Sequence, residues 1–230
     1  MKLSQSSVVL MAVMTAVLLA EFALAQSRPD KLRIGYAARA VAHSVPYVAK
    51  EAGFFSEEGI DAEIVRTAGS IAPMALVANE VDLAIMSAYL MIPVANFMVD
   101  LTDLKLEYQG STVATRRTFV QKNPQLATRA LRAIIRGVHL FKTRREDTMR
   151  ILGKFLGTND REALQESWDY AAKMPAKPYA VESAVQAVLD HLSESQPRFA
   201  QYRPGEFIDS RLRGELDKSG YIDRLYGQAQ

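Results

Sequence analysis

The feature that most constrains the fold is an alternation of strand and helix patterns that begins near Leu32 and stops near residue 120. At five places, short runs rich in apolar and β-branched residues end at turn residues, which predicts strands. The predicted strands are residues 32–36, 61–66, 81–86, 105–109 and 113–120. Strands that alternate with helices predict a mostly parallel sheet. Two sheets of about five to six strands each would need twice as many, so one sheet is expected.

Helix signals lie between these strands and fill the second half of the chain. Ser44 is a candidate N-cap, Pro46 suits a first helical turn, and Gly53 suits a helix end. A second cap followed by proline stands at Asn123-Pro124. The other predicted helices cover residues 70–79, 88–98, 145–156, 160–173 and 181–193. We therefore assign an α/β lobe to residues 26–122 and a helical region that packs on it to residues 123–230.

Composition excludes several classes of function. The chain has 28 Lys and Arg against 26 Asp and Glu, a net charge of +2, so no strong field attracts nucleic acid. It has no cysteine, which excludes a disulfide framework, a thiolate zinc site and a cysteine nucleophile. The three histidines lie far apart and give no metal-ligand spacing. No serine-hydrolase elbow, phosphate-binding loop or zinc-protease motif occurs, so neither catalysis nor a cofactor is predicted.

The first 25 residues have the pattern of an export signal. Lys2 precedes an apolar stretch at residues 8–20, which is too short to span a bilayer. Ala23-Leu24-Ala25 then forms an Ala-x-Ala cleavage site before Gln26. The alternative is a membrane anchor that is kept. Cleavage after Ala25 predicts a periplasmic protein.

Two blocks of the sequence carry a family resemblance. The strand at residues 32–36 and the block at residues 46–61, which contains Gly-Phe-Phe-Ser-Glu-Glu-Gly-Ile-Asp, resemble the start of periplasmic substrate-binding proteins of ABC importers. Residues 67–70, Thr-Ala-Gly-Ser, and 81–84, Val-Asp-Leu-Ala, are similar to further motifs of that family. The most similar group is the nitrate, sulfonate and taurine type, which includes proteins that bind thiamine precursors.

The resemblance implies a fold, a ligand and a partner. The fold is a type II periplasmic-binding-protein-like α/β lobe, and the ligand is a small organic or inorganic anion or a thiamine-precursor-like molecule. The partner is the importer permease in the inner membrane. Family members have two lobes, and at about 100–150 residues per domain two lobes with helical extensions exceed this 230-residue chain. We expect an internal deletion that joins at residues 75–82 and leaves the second lobe absent or vestigial; the alternative is a family that tolerates short members.

The candidate ligand contacts follow the predicted strands, because ligands in such sheets bind outside the carboxyl ends of the strands. These candidates are Arg39, His43, Gly69, Ser70, Ser87, Tyr89 and Ser111. Arg39 offers charge, and backbone N–H groups near Gly69 and Ser70 offer hydrogen bonds to an oxyanion. The alternatives are a solvated arginine, a surface histidine, ordinary capping by Ser70 and core packing by Tyr89.

Three functions compete on these grounds. The first is a binding protein that captures a solute for an importer without chemistry, and the second is a sensor or interaction protein derived from that family. The third is an exported relative of thiamine-pyrimidine precursor synthases, which the export signal disfavours. Two further interpretations concern pairs of residues: Arg116 and Arg117 are a solvated pair, and Trp168 and Tyr170 are packing residues.

Overall fold

The computed structural model describes residues 28–69, 71–87, 112–177 and 180–227. The chain divides after Asp30 into two units, and the fold below is that of the unit that begins at Lys31, although β1 starts one residue earlier. The strands are β1 (Asp30–Tyr36), β2 (Ile60–Arg66), β3 (Leu83–Met86) and β4 (Thr112–Thr115). The helices of the first half are α1 (Val45–Glu51), α2 (Phe54–Glu57) and α3 (Ala72–Val77).

Seven further α-helices follow β4 in the described residues. They are α4 (Arg117–Lys122), α5 (Pro124–Thr143), α6 (Arg145–Leu156), α7 (Arg161–Ala172), α8 (Glu182–Ser195), α9 (Arg211–Lys218) and α10 (Tyr221–Leu225). Short 3-10 helices occupy Val41–His43, Pro197–Gln201 and Pro204–Glu206. None of the helices in the described segments combines the length and apolar character needed to cross a bilayer. The prediction of an α/β protein with a helical C-terminal half is confirmed.

The four strands form one sheet in the order β2-β1-β3-β4. β1 and β3 are parallel, with Ile34 opposite Leu83 and Tyr36 opposite Ile85, whereas β4 runs antiparallel to β3. All four residues of β3 are buried, as expected of a central strand that is covered on both faces. The described residues contain this one sheet and no second one, in agreement with the single sheet predicted.

Each face of the sheet has its own apolar cluster. Leu83 and Ile85 of β3 point to the larger cluster, where α1, α2, α5 and α6 cover the sheet. Ala84 and Met86, which alternate with them, point to a smaller cluster that is covered by α3. The larger face therefore supports most of the helical half, and the smaller face is a thin layer of mainly alanine side chains.

Helix α5 is the central element of the helical half. Its buried residues recur at spacings of three and four, and the helix contacts α1, α2, α6, α7, α9 and α10. Gly137 lies on its α1 face, and Arg136 lies on its α2 face, where the guanidinium stacks on Phe54 at 4.1 Å and donates to Glu57 at 2.5 Å. This contact packs the block at residues 53–60 against α5, and Phe55 and Ile60 of that block are buried.

The C-terminal segment adds a small apolar cluster and a link made by ion pairs. Val188, Leu189 and Leu192 of α8 pack with Phe199 in a cluster separate from the sheet. Lys177 joins the preceding connection to the last two helices, because its ammonium lies 2.7 Å from Asp217 and 2.8 Å from Asp223. Hydrogen bonds to these two carboxylates raise the pKa of Lys177. The lysine therefore keeps its charge and acts as a link between segments.

Two predicted elements differ from the structure. The strand predicted at 113–120 ends at Thr115, and the chain turns helical at Arg117 because Phe119 packs into the core from α4. The helix predicted at 70–79 covers only Ala72–Val77. The predicted helix at 88–98 and the predicted strand at 105–109 lie outside the described residues.

Two residue interpretations are also corrected. Arg116 is not solvated: its side chain is 18% exposed, it donates to the carbonyl of Leu76 at 3.0 Å, and it lies 3.8 Å from Asp82. It ties the end of α3 to β4. Trp168 packs as predicted and donates its indole N–H to the carbonyl of Phe141 at 2.8 Å, but Tyr170 is 63% exposed and does not.

His139 predicts a loss of stability on acidification. Burial lowers the pKa of its imidazole below 6.5, and the ring packs edge-on against Tyr226 at 4.8 Å. The unfolded chain therefore binds the proton more readily, so this contribution is intact above the unfolded pKa of about 6.5 and decreases as the pH falls through it. We expect a larger fall in Tm between about pH 7.5 and about pH 5 for the native protein than for His139→Phe. Equal falls would contradict this assignment.

Candidate functional site

The carboxyl ends of three strands meet at one edge of the sheet. The N–H of Ala37, just after β1, donates to the carbonyl of Ile85 at 3.2 Å. The N–H of Thr67, just after β2, donates to the carbonyl of Tyr36 at 3.0 Å. The segments that follow β1, β2 and β3 are therefore neighbours, and they carry the described candidates Arg39, His43, Gly69 and Ser87. We call this place the strand edge.

Arg39 brings a free positive charge to the strand edge. Its side chain is exposed, and it forms no ion pair or hydrogen bond with any described residue. A Cβ placed on Gly157, which ends α6 in the left-handed conformation, would lie 3.8 Å from the Arg39 guanidinium. The arginine thus lies between the loop after β1 and the end of α6, and its five N–H donors remain available to an anion.

His43 closes the loop that carries Arg39. Its Nδ1 lies 3.2 Å from both the N–H and the carbonyl of Ala38, so it accepts from one or donates to the other according to its tautomer. The ring is half-buried. Because Nδ1 is committed to the backbone, a direct contact with a ligand is left to Nε2. The main described role of His43 is therefore to hold the conformation of this loop.

Ser44 does not cap α1 in the predicted way. A 3-10 helix, Val41–His43, precedes it, and its hydroxyl donates to the carbonyl of Val41 at 2.6 Å. The N–H groups of His43 and Ser44 are likewise bonded within the loop. Pro46 in the first turn and left-handed Gly53 at the end are as predicted. This loop therefore offers the Arg39 side chain rather than a row of free amides.

The loop after β2 offers open backbone. Thr67 donates its hydroxyl to the carbonyl of Tyr36 at 3.3 Å and packs over Gly35, where an added Cβ would lie 3.4 Å from it. Gly69 is half-buried, and a Cβ placed on it would meet no heavy atom within 4 Å. A side chain at position 69 would therefore enter free space beside the strand edge. Ser70 lies outside the described residues.

The loop after β3 offers a buried hydroxyl. Ser87 is 7% exposed and follows Met86 directly, so it lies under the strand edge rather than on top of it. Tyr89 and Ser111 lie outside the described residues. Of the seven predicted contacts, four are thus placed at the strand edge, and they supply one cation, one imidazole, one open glycine and one buried serine.

An aromatic group that the prediction missed supports the strand edge. Phe155 of α6 lies 5.3 Å from the ring of Tyr36, the last residue of β1, and 5.2 Å from that of Tyr47 on α1. Burial, with a smaller contribution from nearby Glu51, raises the pKa of Tyr47. An aromatic residue at the end of a predicted strand, as at Tyr36, is the one sequence signal that could have indicated this group.

The described side chains at the strand edge are a cation, an imidazole and neutral groups. His43 hydrogen-bonds to the backbone and to no carboxylate in the described part of the chain. Across residues 28–69, 71–87, 112–177 and 180–227, no three acidic or histidine side chains gather as a metal site would require. A cation next to open backbone and aromatic rings can hold an anion and its apolar body.

Comparisons with known proteins agree with this architecture. The family model described as "NMT1/THI5 like" matches residues 40–96, which include the Arg39 loop's last residues, α1, β2 and β3. No curated protein matches the chain. A solved structure of a protein from Bordetella bronchiseptica RB50 is similar over 84% of this chain and 98% of that one, with a TM-score of 0.60 and 12% identity. At that identity the likeness concerns the fold alone.

The family match and the fold likeness rest on different observations. The first concerns the sequence of the strand-edge segments, and the second concerns the arrangement of sheet and helices. The structural likeness agrees with a partial α/β lobe of that fold. Residues 40–96 are therefore similar to the NMT1/THI5-like family, which includes substrate-binding proteins.

Proposed function

We propose that this protein binds a small anion, or a thiamine-precursor-like molecule, at the strand edge and performs no chemistry on it. The observation that carries the proposal is the guanidinium of Arg39, which has no partner among the described residues and lies at the carboxyl ends of parallel strands. Ligands of α/β sheets bind at that position. An exposed guanidinium without a carboxylate partner can form charge-assisted hydrogen bonds to an oxyanion.

In this proposal the protein is the periplasmic solute-binding component of an ABC-type importer. Residues 1–25 are a signal peptide cleaved after Ala25, residues 26–122 form the binding lobe, and residues 123–230 pack on it. The importer permease in the inner membrane is the partner. The resemblance of the sequence and the family match support this role.

The described residues form one sheet, and this affects the expected strength of binding. Two-lobed binding proteins close on a ligand by a hinge, and good pockets bury about 70–90% of a ligand's surface. One lobe covers a ligand from one side, so we expect weak binding unless a partner surface completes the cleft. This observation also favours the second candidate, a sensor or interaction protein derived from the family that no longer transports.

Binding at the strand edge predicts the effect of two substitutions. In titration calorimetry with nitrate, taurine, benzoate and a hydroxymethylpyrimidine, we expect at least one anion to bind with 1:1 stoichiometry. Arg39→Gln should weaken that binding about tenfold, because it removes a charge-assisted contact. Gly69→Val should weaken it too, by filling the open space beside the strand edge, without loss of stability.

Lys122→Gln is the matched control, because Lys122 is exposed on α4 and its loss changes net charge by the same amount. Its affinity should equal that of the native protein. Affinities unchanged in both Arg39→Gln and Gly69→Val would remove the strand edge from the binding site. If none of the four probes binds, the sensor or interaction role becomes the better proposal.

A further inference from the structure

A cavity lies in the corner between α6 and α7, beside the end of α6 that Arg39 approaches. It has a volume of about 640 Å³ and opens to solvent. This is within the range of roughly 300–1,000 Å³ that is usual for small-molecule sites. One face of α6 forms a wall of the cavity, and the first turn of α7 forms the other. Of the residues that line it, Gly157 also lies next to the Arg39 guanidinium, and the strand-edge proposal uses none of the others.

Two glycines shape this corner. A Cβ on Gly153 would lie 3.0 Å from the carbonyl of Thr158 and 3.5 Å from Leu164, so α6 approaches the connection closely there. Gly157 then ends α6 with a φ of 74°, a conformation that favours glycine. Met149 and Leu164, both buried, form an apolar floor.

Three cations surround this floor. Arg150 and Lys154 are four residues apart on α6 and therefore share its cavity face, and Arg161 begins α7. Lys154 is engaged, since its ammonium lies 2.9 Å from Glu51. Glu146 is the one carboxylate among the lining residues. The lining side chains thus carry an excess of positive charge.

The two guanidiniums have spare hydrogen-bonding capacity. Arg150 lies 3.7 Å from Asp147, and Arg161 lies 3.6 Å from Glu146, so both contacts are ion pairs beyond hydrogen-bond distance. The side chains of these pairs are 42–79% exposed. Exposed pairs of this kind contribute little to stability, so a ligand can displace them at small cost. Each arginine can then present its planar fork to an oxyanion.

The amides at the start of α7 do not compete for this role. Asp160 accepts hydrogen bonds from the N–H groups of Glu162 and Ala163, at 3.0 and 3.3 Å. The helix terminus is therefore already capped, and any recognition of an anion depends on the arginine side chains. The guanidiniums of Arg150 and Arg161, next to the apolar side chains of Met149 and Leu164, match a doubly charged oxyanion that is joined to a small apolar group.

We propose that the cavity between α6 and α7 binds a small organic dianion, such as a phosphate monoester or a dicarboxylate, through Arg150 and Arg161. The apolar part of the ligand packs on Met149 and Leu164. The contacts proposed here, Arg150 and Arg161, differ from those proposed at the strand edge, so the site adds a second ligand to the molecule.

Phenyl phosphate is the probe for this site, and phthalate, inorganic phosphate and benzenesulfonate are its comparisons. We expect phenyl phosphate to shift the backbone amide NMR signals of Gly153, Gly157 and Arg161. Inorganic phosphate, without an apolar group, and benzenesulfonate, with one charge, should each bind more weakly. Phthalate binding as tightly as phenyl phosphate would assign the dicarboxylate, and weaker binding would assign the phosphate ester.

The variants separate this site from the strand edge. The double substitution Arg150→Gln and Arg161→Gln should weaken phenyl phosphate binding by about tenfold or more. Lys218→Gln, which removes one exposed charge from α9, and Gly69→Val should leave it unchanged. Unchanged affinity in the double variant, shifts that cluster at residues 37–43 and 67–69, or equal weakening by Lys218→Gln would each overturn the proposal.

Discussion

Replacement of Phe155 by alanine is expected to lower the free energy of unfolding by about 3–5 kcal/mol, the usual range for Phe→Ala in a core. Phe155 is 4% exposed and contacts the rings of Tyr36 and Tyr47. Its removal would leave a cavity between α6, β1 and α1. It would also remove two ring pairs, each of the kind worth about 0.5–1.5 kcal/mol beyond the area they bury.

Two further variants give this prediction its controls in urea denaturation. Phe155→Leu keeps most of the volume and should cost about 1.5 kcal/mol or less. Tyr170→Ala, at a 63% exposed aromatic residue, should change stability by no more than about 0.5 kcal/mol. If Phe155→Ala lowers the free energy of unfolding by no more than Tyr170→Ala does, α6 is not anchored to the strand edge through this ring.

The elements that follow local rules could be predicted from the sequence. The bounds predicted for α6, residues 145–156, agree with Arg145–Leu156 because left-handed Gly157 stops the helix. The strand predicted at 113–120 is correct as far as Thr115 and wrong beyond it, because Thr118 and Val120 favour a strand locally, whereas packing of Phe119 favours a helix. At these residues, burial of Phe119 outweighs the local strand propensity.

The same distinction holds for the strand edge. That Arg39, His43 and Gly69 lie near one another could be predicted, because loops after parallel strands converge at one edge. The contact of Arg39 with the end of α6 could not, since it depends on how a helix from the other half of the chain packs. The same holds for Phe155 beneath Tyr36. Sequence pattern thus identifies the loops, and only the fold identifies what supports them.

The other large effect is expected at Gly137, where α5 crosses α1. A Cβ at this position would lie 3.0 Å from the carbonyl of Val45, 3.1 Å from the Cβ of Ala49 and 3.3 Å from a methyl of Val45. These atoms are backbone and short side chains, which cannot rotate away. The two helices therefore approach as closely as they do because this position carries no side chain.

A graded series at this position separates crowding from helix propensity. Gly214, within α9, has no heavy atom within 4 Å of an added Cβ, so Gly214→Ala should stabilise the protein by about 0.5–1 kcal/mol through propensity alone. Gly137→Ala gains the same propensity but must separate the helices, so it should destabilise by about 1 kcal/mol net. Gly137→Val adds more volume to the same contact and should cost about 3 kcal/mol or more.

The Gly137 series also connects packing to the strand edge. Val45 begins α1 immediately after the loop that carries Arg39 and His43, so a displaced α1 moves that loop. We therefore expect Gly137→Ala, which still folds, to weaken anion binding at the strand edge, whereas Gly214→Ala should leave it unchanged. Stability measured by urea denaturation and affinity measured by calorimetry should fall together along the series. A Gly137→Val protein as stable as Gly214→Ala would show that α5 and α1 do not meet at this glycine.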